Sequence, residues 1–117
     1  IVMHGLADAH VPFAGGASPK KAGEREYLPA LDAVRFWVRA DGLDPDPVVE
    51  ELQDGTVTRS SWSRPGAAGP EVVLYAIAGW DHRWPGGVVT AGLPKSDPLS
   101  GFDATAIIWD FFSRRTR

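Results

Sequence analysis

Two side chains in this sequence have the types and placement for acid–base chemistry: Asp8 and His82. Asp8 lies in the segment H-G-L-A-D-A-H-V-P, and His82 lies in G-W-D-H-R-W-P-G-G about seventy positions later. Each follows a short apolar run, residues 1–3 and 72–77. Imidazole titrates near neutral pH, so it can take a proton and return it within one catalytic cycle. A carboxylate bonded to one ring nitrogen sets the tautomer and stabilises the imidazolium. With a hydroxyl nucleophile the two would form the acid–base–nucleophile relay of acyl transfer. An Asp in a turn also caps its own backbone, and a loop His is often just a surface residue. The pair therefore gains meaning only if the surrounding elements bring the two together.

Those elements can be read along the chain. Residues 1–3 and 72–77 predict buried strands, the second rich in β-branched and aromatic residues. Leu31, Val34 and Val38 recur at helical spacing and predict an amphipathic helix over 29–40. Pro29 suits its first turn and Gly42 its C-terminal cap. Residues 48–62 predict a hairpin about Asp54-Gly55. A final helix starts after Asp103 as N-cap and runs to about Arg114, with Ala104, Ile107, Ile108, Phe111 and Phe112 on one stripe. Trp37, Trp109, Phe111 and Phe112 are expected to pack in the core, and Arg114, Arg115 and Arg117 to favour the helix C-terminus. Residues 14–23 and 86–101 read as loops. Strand and helix alternate, which predicts parallel α/β architecture. Two strands alone leave a parallel sheet uncovered, so the chain reads as the C-terminal part of a larger doubly wound sheet, residues 1–117 forming one portion of a single domain.

Composition excludes several classes. The formal charge of −3 argues against nucleic acid, which favours a clustered basic face. No run approaches the ~18 apolar residues of a membrane span. The chain has no cysteine, hence no disulfide and no thiol nucleophile. Its serines offer no replacement: the single G-x-S run, Gly16-Ala17-Ser18, continues with Pro19. His4 and His10 read as a strand-end packing residue and a loop residue rather than as metal ligands, and no metal or cofactor is expected. Ile1 opens directly on a strand, without signal-peptide pattern or initiator Met, so the true start is expected upstream.

The segment H-G-L-A-D-A-H-V-P-F-A-G-G, taken with G-W-D-H-R-W-P-G-G, resembles the polyhydroxybutyrate-depolymerase and feruloyl-esterase group of α/β-hydrolases. That group carries H-G-x-x-D-x-x-V-P-[YF]-x-G-G, then G-x-x-H-x-W-P-G-G, then a helix ending W-x-F-F. Trp109-Asp110-Phe111-Phe112 matches the last, and Phe36-Trp37 with Asp41-Gly42 matches the group's W-x-x-x-[ND]-G segment. The resemblance spans nearly the whole chain. Departures are Leu43, where a cysteine is common, and Trp80 and Asp81, where small residues are common.

The resemblance implies a carboxylesterase acting through a Ser-Asp-His triad on polyhydroxyalkanoate, feruloyl or acetyl polysaccharide esters. Asp8 is then the orienting acid and His82 the base. Trp84 and Trp80 are expected to contact substrate, and Asp81 either to tune His82 or to compete with Asp8 for it. Chain order in such hydrolases is Ser, acid, His. The nucleophile and oxyanion hole are therefore expected upstream of Ile1, supplied by the other half of the domain or by another chain. The expected partners are an ester substrate and that half, with no nucleic acid and no membrane; secretion agrees with the resemblance. Three alternatives stand: part of a prolyl-oligopeptidase-type peptidase, which shares the H-G-x-x-D-x-x-V-P segment; an acetylxylan esterase; and a non-catalytic interaction module.

Overall fold

The computed structural model describes residues 1–20, 25–66 and 69–114. The expected roles of Arg115 and Arg117 lie outside these residues. The chain forms two compact units, one of Val2–His82 and one of Ile1 with the residues from Arg83 onward. Together they hold a small mixed α/β set of elements, with a four-stranded mixed sheet and three helices among the described residues.

The first unit contains β1 (Val2–Gly5), β2 (Gly16–Ala17), β3 (Glu26–Tyr27), α1 (Ala30–Ala40), β4 (Val48–Leu52), β5 (Val57–Trp62) and β6 (Val72–Ile77). The main sheet has the order β1-β6-β5-β4. β1 runs parallel to β6, with Val2 opposite Leu74 and Gly5 opposite Ile77. β5 is antiparallel to both β6 and β4. The expected parallel arrangement is present in the β1–β6 pair, while the sheet as a whole is mixed. The cause is connection length: tight links can only reverse a strand, and a parallel pair needs a long crossover. β4 and β5 meet through residues 53–56, where the Thr56 N–H donates to Gln53 O at 3.0 Å. Asp54 (φ 53°) and Gly55 (φ 79°) occupy the two central positions, the left-handed pair that a tight hairpin favours. Only β1 and β6 are separated by enough chain, including α1, to align in parallel.

The helix α1 follows from its apolar spacing. Val34 and Val38 are buried and pack with Leu43, Trp62, Val72 and Leu74, while Val2, Phe13 and Leu31 flank them. The helix ends where Gly42 takes φ 60°. The Gly42 N–H donates to Arg39 O, and the Leu43 N–H donates to Val38 O. These two bonds satisfy carbonyls that the last turn would otherwise leave open, and they return Leu43 to the core. Residues 14–23, expected as a plain loop, include β2, which pairs with β3 over two residues.

The second unit contains α2 (Gly87–Ala91) and α3 (Ala104–Ser113). The Asp103 carboxylate accepts from the Thr105 and Ala106 N–H groups, capping α3. The short helix α2 corrects the expected loop over 86–101. Val88, Val89 and Thr90 are poor helix formers, but the buried Thr90 hydroxyl donates to Phe102 O at 2.5 Å and ties α2 to the segment before α3. Ala104 is buried, yet Trp109 is 74 % exposed and Phe112 is also exposed, as is Trp37 on α1. Core packing, expected for these three from their size, is not where the structure puts them: they lie outside the stripe that each helix buries.

Candidate functional site

Asp8 stands three residues beyond β1, and His82 stands five beyond β6. Because the two strands are adjacent and parallel, the loops leave from the same edge of the sheet. The backbone then ties them together. The Leu6 N–H donates to Ile77 O at 2.9 Å, and the Ala7 N–H donates to Trp80 O at 2.9 Å. Gly5 makes this approach possible, since a Cβ there would lie 2.3 Å from Trp80 O and 2.7 Å from Asp81 O. All of these groups belong to one unit.

The structure brings Asp8 and His82 into direct contact. His82 Nδ1 lies 2.8 Å from Asp8 Oδ2. Asp8 Oδ1 accepts from the His10 N–H at 2.8 Å and from the Val11 N–H at 3.0 Å, so the turn role and the pairing role coexist in one side chain. Burial alone would raise the Asp8 pKa; the Val11 N–H, the His82 ring and the His10 N–H outweigh it and hold the carboxyl below its usual value. An ionised carboxylate can only accept. The shared hydrogen therefore sits on His82 Nδ1, so the tautomer of the uncharged ring carries its lone pair on Nε2. The Asp8 side chain is 8 % exposed and that of His82 53 %: the acid is enclosed and the imidazole open.

His10, expected as a loop residue, joins this pair. Its ring lies 4.9 Å from that of His82, tilted by 32°, and single donor atoms of Asp8, His10 and His82 all fall within 4.8 Å of one another. The Asp-x-His spacing was the signal in the sequence, because an Asp that accepts from the second residue onward turns that residue back towards itself. His4 is apart from the cluster. Its Nδ1–H donates to Gly5 O, and its ring meets Phe13 edge-on, as its place at the strand end suggests.

The other expected residues divide. Trp80 is 4 % exposed, so its indole has almost no surface to offer a substrate. In this chain Trp80 is a buried residue whose carbonyl takes part in the loop tie. Trp84, in the second unit, is exposed, and its Nε1–H donates to Thr105 Oγ1 at 3.1 Å. Asp81 is exposed, and the Nδ1 of His82 faces Asp8. Ser18 is buried and its hydroxyl donates to Ala9 O. A separate groove of about 470 Å³ lies between α1 and β5, over Val38 and Trp62 with Arg35 and Arg39 beside it; neither Asp8 nor His82 lines it.

No family model, no curated protein and no solved structure matches this chain.

Proposed function

We propose that this chain supplies the acid and the base of a serine carboxylesterase of the polyhydroxybutyrate-depolymerase and feruloyl-esterase type. The observation that carries the reading is the 2.8 Å contact between His82 Nδ1 and an Asp8 carboxylate whose other oxygen is held by two backbone N–H groups. In this reading the Nε2 of His82 takes the proton of a serine hydroxyl as that oxygen attacks the ester carbonyl. The imidazolium then gives the proton to the leaving alcohol. Asp8 stabilises the imidazolium and prevents the ring from turning to the other tautomer. Water enters in the second half, activated by the same nitrogen, and releases the acid. The nucleophile and oxyanion donors come from a segment outside these residues, in the same domain or in another chain.

The reading orders three substitutions. In a protein that includes the nucleophile-bearing segment, His82→Ala lowers kcat/KM on a short-chain or feruloyl ester by several orders of magnitude, leaving roughly 10³-fold over water from oxyanion and binding effects. Asp8→Asn costs about 10⁴-fold or somewhat less, through the tautomer of His82. Asp81→Asn is mild. A crippling Asp81→Asn beside a near-normal Asp8→Asn would transfer the acid role to Asp81. Full activity in a folded His82→Ala protein would end the esterase reading. The 117-residue chain alone is expected to hydrolyse no p-nitrophenyl ester above background, and a fluorophosphonate probe should label none of its serines.

A further inference from the structure

We infer that Asp8, His10 and His82 form a binding site for a divalent transition-metal ion of the zinc type. Two imidazoles and a carboxylate are a donor set zinc accepts, at about 2.0–2.2 Å from nitrogen and oxygen. Two donors on one tetrahedral ion then stand roughly 3.3 Å apart. The three donor atoms already fall within 4.8 Å of one another, so movements on the order of 1 Å complete the set. His82 can make that movement because its side chain is 53 % exposed. Asp8 need not move, since the His10 and Val11 N–H groups hold Oδ1 and leave Oδ2 turned to the imidazole. Outer bonds of this kind orient a metal ligand before the ion arrives. His10 is doubly suited: its backbone fixes the carboxylate while its ring stands against that of His82. Three protein ligands leave a fourth position for water.

Occupancy and base chemistry exclude each other at this site. If the ion takes Nε2 of His82, the lone pair that would receive the serine proton is used. If it takes Nδ1, the ring proton must lie on Nε2, and again nothing there accepts. The ion is thus a reversible inhibitor of the triad. This consequence rests on the esterase reading; the binding site itself does not.

The test is calorimetric titration of zinc chloride into the metal-stripped 117-residue chain, with the visible spectrum of cobalt(II) as a second readout. One equivalent should bind, with the intense bands of a four- or five-coordinate cobalt ion. His10→Ala should weaken binding at least tenfold, because removal even of an outer-shell partner costs about 10–100-fold. It keeps the backbone bond to Asp8, so the loop should fold; circular dichroism checks this. His82→Gln should weaken binding similarly, and His4→Ala should leave it unchanged. Absence of saturable binding, or affinity that survives His10→Ala, would overturn the proposal. Zinc binding by a chain whose nucleophile-complete form hydrolyses no ester would remove the esterase reading and leave the site standing. Ester turnover that depends on His82, with no zinc bound, would do the reverse.

Discussion

At the scale of single residues, Asp8 does two jobs with two oxygens. One closes the turn over 8–11 and the other holds an imidazole 74 positions away. Its pKa is lowered, so its contribution to stability has a definite sign: it is complete above the ordinary carboxylate value of 3.8 and disappears as pH falls through the lower folded value. We expect urea midpoints measured with a chelator present to show Asp8→Asn less stable than wild type at pH 7, with the gap closing in acid. A gap that widened on acidification would contradict the pairing. The acid and the histidine were legible in the sequence because each belongs to a motif with distinctive neighbours. His10 was legible only through the Asp-x-His spacing, since where its ring lies depends on how the turn sets it. The burial of Trp80 is not legible from its place beside His82, since it depends on how the chain folds back over β1.

At the scale of elements, two glycines set the geometry. Gly42 ends α1 in the left-handed region, where a Cβ costs roughly 1–2 kcal/mol. Gly42→Ala should lower stability by that amount in urea melts without affecting the Asp8–His82 pair. Gly5→Ala differs, because the new Cβ would meet backbone carbonyls that cannot turn aside. We expect about 1–3 kcal/mol of destabilisation from overpacking and, under the proposed esterase function, a large loss of turnover in the nucleophile-complete protein as the two loops separate. A Gly5→Ala protein with normal stability and normal turnover would show that the loop tie is not what aligns the pair. The main elements were readable for a common reason. α1 has a strong one-sided apolar pattern, β6 is a β-branched run, and α3 carries its own N-cap. β2, β3 and α2 were hidden because tertiary bonds, not local preference, create them; the Thr90 hydroxyl bond is the plainest case.

At the scale of the whole molecule, the sheet has two unfinished sides. No strand among the described residues pairs the outer edge of β1 or of β4, and β4 leaves Val48 and Val49 exposed. Open edges invite further strands. The chain by itself should therefore associate as its concentration rises, and Val49→Lys should shift sedimentation profiles toward the monomer. Profiles independent of concentration and of this charge would contradict that expectation. The β4–β5 hairpin was legible from Asp54-Gly55, but not that β5 would pair antiparallel with β6 and join both strands to the sheet of β1. That arrangement also sets an order of events in folding. β4, β5 and β6 are neighbours in sequence and can assemble across short loops, whereas β1 must find β6 across most of the first unit. Closing so long a loop carries the larger entropic cost and belongs to the slow end of folding. Refolding traces should thus report Trp62, fixed on the hairpin, before His82 meets its carboxylate. The Asp8–His82 contact would form only once β1 docks, so a chain caught midway would already hold the β4–β5–β6 sheet without it.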